Sequence, residues 1–205
     1  CGPATISIAQ DVQGEAYDYP EIFFEEKIHE IRRIQPDLNQ IKVAAEKIKL
    51  SKQPIIIAGG GVLYSEAEKE LSQFAKNHNI PVTPTVMGIG CMDRDDPYYI
   101  GAIGALGVGS SNSLSKDTDL ALAVGTKLAD FTTGSWANFE NEDFKLVSIN
   151  TTRFDVTKHR ATPVISDAKI GFKELSKVLG DWSAPNTWFD RAVKERTDWD
   201  SYVIK

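Results

Sequence analysis

The run Pro54-Ile-Ile-Ile-Ala58-Gly-Gly-Gly61 decides the fold. Its first five residues are all apolar, are of strand length and have no polar face to give to water. Such a strand suits a parallel sheet covered by helices on both sides. The glycines then turn the chain. Ser65-Glu-Ala-Glu68 has the form of a capping box, and Ala67, Leu71, Phe74 and Ala75 recur at helical spacing. Asn77 to Asn79 ends that helix, and Ile80 to Thr85 reads as the next strand. Strand, glycine turn, helix and strand make a βαβ unit.

The same alternation extends outward on both sides. Upstream, Asp37-Leu-Asn-Gln40 is a second capping box, opening a helix that buries Ile41, Ala44, Ala45 and Ile48. Downstream come a glycine-rich loop from Pro97 to Gly109 and a short helix over Ser111 to Ser115. Strands follow at Asp119 to Gly125, Lys145 to Asn150 and Pro163 to Ile165. Ala168 to Leu179 is a helix with Gly180 as its stop, and Asn186 to Val203 is another, with Phe189, Ala192, Val193 and Arg196 at helical spacing. The sum is an α/β fold: a doubly wound, mostly parallel, Rossmann-like sheet.

A chain of 205 residues, 41% hydrophobic and 25% charged, is long enough for a proper core. Its net charge of −6 implies no basic face, which argues against nucleic acid and against an anionic membrane surface. The longest apolar run, Pro54 to Tyr64, contains three glycines and is too short to span a bilayer. Two cysteines, Cys1 and Cys91, make neither a disulfide framework nor a zinc site, and Cys91 reads as a half-buried small hydrophobe. The composition points to a cytoplasmic protein. The chain opens Cys-Gly-Pro, and Ala4-Thr-Ile-Ser-Ile8 alternates at once like a strand, so it reads as a piece of a longer polypeptide.

In such a sheet, ligands sit at the carboxyl ends of the strands. Gly59, Gly60 and Gly61, then Gly125-Thr126, then Asn150-Thr151 occupy those ends. The glycines either admit a phosphate to a helix N-terminus or let helix and strand pack closely. Tyr64 stands where a dinucleotide fingerprint needs its third glycine, and Gly125-Thr-Lys127 lacks the spacing of a phosphate loop, so close packing is the favoured reading. His29, His78 and His159 lie at no metal-ligand spacing, and Asp93, Asp95 and Asp96 read as a solvated turn. Ser110, Ser111 and Ser113 are expected to cap a helix, and Trp136, Trp182, Trp188 and Trp199 to pack.

The order of these landmarks resembles the central domain of thiamine-diphosphate-dependent enzymes of the acetohydroxyacid synthase type. The likeness runs through the run at 54–61, Ile80-Pro-Val82, Met87-Gly-Ile-Gly90, Gly101, Gly104 and Gly107, Asp119 to Gly125, Val147 to Asn150 and Ile165 to Ala168. Three longer stretches, Gln10 to Pro20, Gly125 to Trp136 and Phe154 to His159, look like the inositol-catabolism branch of that family.

The resemblance implies a three-domain hydrolase that opens a carbon–carbon bond of a cyclic dione and gives 5-deoxyglucuronate. It uses thiamine diphosphate and Mg²⁺, held by flanking domains that are this chain's partners, within a homo-oligomer. Residues 1–12 would then close an upstream pyrimidine-binding domain, 13–37 link, 38–180 form the central domain and 181–205 lead to a diphosphate-binding domain. Gly180-Asp181-Trp182 lacks the downstream Gly-Asp-Gly motif, so no catalytic residue is expected here. Some relatives bind FAD or ADP on this domain. Carried over, those contacts fall on Gly59, Gly60, Gly61, Gly125, Asn150 and Asp167. Asn150 replaces their ribose-binding acid, and Lys127-Leu-Ala129 stands where FAD binders carry Arg-Phe-Asp. An FAD- or ADP-binding module is therefore the alternative reading. A free-standing dehydrogenase domain is disfavoured by the missing third glycine and ribose carboxylate.

Overall fold

The structure, a computed structural model, describes residues 3–28, 30 and 32–204. Cys1 and His29, singled out above, lie outside them. The chain divides into two compact units, Cys1–Arg32 and Arg33–Lys205. The first contains two 3₁₀ turns, Val12–Gly14 and Glu21–Phe23, and a cluster of four exposed rings, Tyr17, Tyr19, Phe23 and Phe24. Residues 4–8, expected as a strand of an upstream domain, pair with no strand among the described residues, and Ile6 and Ile8 are exposed.

The second unit runs α1 (Leu38–Leu50), β1 (Pro54–Ala58), α2 (Gly60–Tyr64), α3 (Glu68–His78), β2 (Val82–Pro84), α4 (Gly109–Asp117), β3 (Leu120–Val124), α5 (Asp130–Thr133), β4 (Lys145–Asn150), α6 (Arg153–Val156), β5 (Thr162–Ile165), α7 (Ala168–Leu179) and α8 (Asn186–Val203). The five strands are ordered β2-β1-β3-β4-β5, and every pairing is parallel. All residues of β1 and β3 are buried, which is why their sequences show no polar alternation. One apolar cluster joins α1, α3 and α7 to one face of the sheet, with Phe74 and Phe172 at 5.2 Å between ring centroids. The other gathers Ile55, Ile57, Ala121, Ala123, Leu114 and Trp188 on the opposite face.

Local chemistry corrects several expectations. Asp37 caps α1, accepting from the N–H groups of Asn39 and Gln40. Gln40 does not reciprocate: its Oε1 accepts from Ile165 N on the outer side of β5, at 2.9 Å. The capping box at Ser65 does not form. Ser65 instead closes α2, Glu66 takes a left-handed φ of 51°, and α3 starts after Ala67 with no side-chain cap. Ser65 Oγ accepts from Ala168 N at the start of α7. The second strand is shorter than Ile80 to Thr85, and its outer side is occupied by residues 98–103: Val82 N donates to Tyr98 O, Ile100 N to Val82 O and Ile103 N to Pro84 O. Ser110 and Ser111 cap nothing. Both are buried, and their hydroxyls donate to the carbonyls of Ile100 and Ala102, fastening α4 to the glycine-rich loop. On α8 the buried residues are Trp188 and Ala192. Phe189 packs on Tyr98 at 4.4 Å, Arg196 donates to Tyr99 O, and Val193 is exposed. Trp188 reaches the sheet itself, its Nε1–H donating to Pro54 O at 2.8 Å.

Candidate functional site

Strand order changes direction between β1 and β3, and a crevice for ligands is expected beyond the carboxyl ends of those two strands. Gly59, Gly60 and Gly61 follow β1 there, and Gly125 follows β3. The crevice is closed by backbone. Gly59 N donates to Val124 O at 2.8 Å, and Gly61 N donates to Gly125 O at 2.9 Å. A Cβ on Gly59 would lie 2.3 Å from Gly125 O, and one on Gly61 would lie 2.6 Å from Gly125 Cα. Gly125 itself sits at φ +61°, a conformation that suits glycine. The glycines thus let two backbones touch, and the N–H of Gly61 is spent on the protein.

The other carried-over residues are near by topology and equally engaged. Asn150 ends β4; its Nδ2 donates to Thr126 O at 3.1 Å and its Oδ1 accepts from Thr152 N at 3.0 Å. Asp167 follows β5 and caps α7, Oδ1 accepting from the N–H groups of Lys169 and Ile170. Its Oδ2 accepts from Arg33 Nη1 at 3.0 Å. Arg33 also donates to Ser65 O, so one guanidinium ties the ends of α2 and β5 together. Nothing in the sequence singles Arg33 out, because its partners lie 32 and 134 residues away. Leu128, in the loop after β3, is buried at a left-handed φ of 48°.

A feature missed in the sequence surrounds these strand ends. Met87 and Ile89 after β2, Leu106 in the glycine-rich loop, Phe131 in α5 and Phe154 in α6 are all exposed large apolar residues on the loops that follow the strands. Leu106 and Phe131 sit on joined loops, since Ala105 N donates to Phe131 O at 2.7 Å. Read singly, each is an ordinary loop hydrophobe; only the topology puts them on one end of the sheet.

The remaining candidates hold no reactive constellation. Cys91 is fully buried, and burial pushes its thiol up to about 12, so it stays an unreactive thiol. Asp93 and Asp96 accept from the N–H groups of Asp95 and Tyr98, an acidic turn built on its own backbone. His78 is buried at the end of α3; its Nδ1 meets Trp182 O at 2.7 Å and its Nε2 meets Ser176 Oγ at 2.8 Å. A carbonyl only accepts, so Nδ1–H donates to Trp182 O, and burial, which lowers the ring's pKa, favours the neutral form, in which Nε2 accepts from the serine. His159 packs on Trp136 at 4.3 Å. Among the described residues, no group of three or more His, Cys, Asp or Glu is placed to hold a metal, and no helix is long and apolar enough to cross a membrane.

Residues 41–175 match the family described as thiamine pyrophosphate enzyme, central domain. A 3D-(3,5/4)-trihydroxycyclohexane-1,2-dione hydrolase of Clostridium tetani is 40% identical over 199 residues, 97% of this chain and 31% of the relative. Proteins of the same name from Bacillus cereus and Geobacillus thermodenitrificans are 42% identical over 204 residues and 40% identical over 181. They match 100% and 88% of this chain, but 32% and 28% of their own lengths. The chain therefore spans less than a third of the curated relatives it matches.

Proposed function

The chain belongs to the thiamine pyrophosphate enzyme central-domain family, and from that membership we propose that it is the central domain of a hydrolase acting on 3D-(3,5/4)-trihydroxycyclohexane-1,2-dione. The parent enzyme, in this reading, cleaves a ring carbon–carbon bond of the dione to give 5-deoxyglucuronate in the cytoplasm, during myo-inositol catabolism. The observation that carries it is identity of about 40% to hydrolases of that name along essentially the whole chain, not only across the family core.

Thiamine diphosphate would supply the carbanion chemistry of such a reaction and Mg²⁺ would anchor its diphosphate. The residues of this chain do not fit either group. Asp181 is followed by Trp182, and the described residues contain no metal-holding cluster. We therefore assign no reaction step to this chain and place both cofactors on flanking domains of the same polypeptide, within a homo-oligomer. Residues 1–12 would close the upstream domain, 13–37 link it to the central domain at 38–180, and 181–205 lead on. The domain's work is to hold its neighbours in register. A rigid all-parallel sheet and an apolar rim at its carboxyl end support that role. Gly59, Gly60, Gly61, Gly125, Asn150 and Asp167 would be the vestige of a nucleotide site, an inference supported by polar atoms of Gly61, Asn150 and Asp167 that are bonded within the protein.

A chimera tests the proposal. This chain replaces the matching third of the Clostridium tetani hydrolase, and release of 5-deoxyglucuronate is followed with thiamine diphosphate and Mg²⁺ present. Ring cleavage is expected from the chimera and none from the 205-residue chain alone. A folded but inert chimera, or turnover by the chain alone, overturns the reading.

A further inference from the structure

We propose that this domain carries a binding site for an organic anion at the amino end of its sheet, the end opposite the glycine turns. A cavity of about 910 Å³ opens there, at the upper end of the range for small-molecule sites. It lies where β1, β3 and β4 begin, between the end of α1 and the start of α8.

Its chemistry has two halves. The apolar half of the lining is Leu50 and Pro185, both exposed, together with Trp188 and Leu120, which are buried. Trp188 is locked in place by its bond to Pro54 O, so that part of the lining is preorganised. The polar half is cationic in a chain whose net charge is −6. Lys47, Lys52 and Lys145 all line the cavity, and none of them makes an ion pair among the described residues. Lys47 Nζ donates to the neutral hydroxyl of Thr162 at 2.5 Å. Arg191, which covers the Trp188 ring at 5.6 Å, is balanced by Asp117.

Two aspartates face these lysines. Asp119 is held by three donors, its carboxylate accepting from Ser51 Oγ and from the N–H groups of Lys52 and Gln53. Asp143 is exposed, as the three lysines are, so the four cations of the lining, Arg191 included, outnumber its two carboxylates. Three lysines without carboxylate partners beside an apolar lining select a single anionic head, carboxylate or phosphate, on a flat apolar body. A metal cation or a polar neutral ligand would match neither half. The site owes nothing to the hydrolase reading and stands or falls separately from it.

The test uses the 205-residue chain and three probes: 4-phenylbutyrate, its neutral amide, and inorganic phosphate. The readout is the indole N–H resonance of Trp188 and the backbone N–H resonances of Lys52 and Gln53. Phenylbutyrate is expected to shift these signals saturably, and the amide and inorganic phosphate to bind at least about tenfold more weakly. Lys52→Ala with Lys145→Ala, both exposed and so compatible with folding, should weaken phenylbutyrate about tenfold, as should Leu50→Glu at the 82%-exposed mouth residue. No saturable shift, equal binding of the amide or of inorganic phosphate, or variants that bind as the parent chain does would each overturn the proposal.

Discussion

Replacing Gly59 by alanine separates the two roles a glycine can have at a strand end. Its backbone, at φ −97° and ψ −178°, is extended and open to any residue. Alanine there carries no conformational strain, and by restricting the unfolded chain it should stabilise by about 0.4–1 kcal/mol. Against this, the new methyl would lie 2.3 Å from Gly125 O, 2.8 Å from Gly125 C and 2.6 Å from Thr126 Cβ. Two of those atoms belong to backbone held by β3, so no side-chain rotation relieves the overlap. Forcing an extra carbon into a packed site costs about 1–3 kcal/mol, and a backbone obstacle belongs at the upper end. The net expectation is a loss of about 2 kcal/mol. For a chain of this length, that lowers the unfolding midpoint by roughly 4–8 °C. Urea unfolding measures the free energy and thermal unfolding the midpoint, both followed by far-UV circular dichroism and tryptophan fluorescence. Gly14→Ala is the control, because nothing lies within 4 Å of its Cβ position. If Gly59→Ala is as stable as the parent chain or more so, the glycine does not serve packing, and the phosphate-approach reading regains its ground.

Burial holds the His78 imidazole below its ordinary value of 6.5, with the Trp182 carbonyl pulling weakly the other way. The folded state therefore resists a proton that the unfolded chain accepts. Stability should fall as pH drops below about 6.5 and continue to fall until the depressed folded value is reached; His78→Gln should flatten that part of the profile, measured by urea midpoints from pH 7.5 to 5. A slope of the opposite sign would show that the buried ring is charged. Calorimetric titration with FAD and with ADP should show no submicromolar binding, since Gly61 N, Asn150 and Asp167 are already bonded within the protein. Submicromolar affinity for either would revive the nucleotide-module reading.

The sheet was legible because parallel strands are buried on both faces. Pro54–Ala58 and Leu120–Val124 announce themselves as unbroken apolar runs, and their neighbours follow from the βαβ rule. Helix starts were less legible. Asp37 and Ser65 head equally good capping boxes, yet only Asp37 caps. The difference is tertiary: Ser65 closes a five-residue helix that begins with two glycines, and the bond from Gly61 N to Gly125 O anchors that helix to the loop after β3. Local preference disfavours such a helix, so sequence reasoning passed over it. The carried-over site residues do collect at the strand ends, but a single sequence does not reveal that their hydrogen-bonding capacity is spent internally. The amino-end cavity was invisible for another reason. Its lysines come from two stretches far apart in the chain, 47–52 and 145, each of which reads alone as a solvated surface.

Both outer strands of the sheet are also denied to strangers. On β5 the outward donors belong to positions 163 and 165: Pro163 has no N–H, and that of Ile165 is held by Gln40. On β2, Pro84 likewise has no N–H, and the loop at 98–103 occupies the rest of that side. An uncovered edge strand is a template for aggregation and for exchange of segments between molecules. In the proposed parent enzyme, where this domain would lie between two others, it would meet many strands while the chain folds, and its edges would offer none of them a place to join. The sheet is finished at five strands, and neither edge needs a neighbour to complete it.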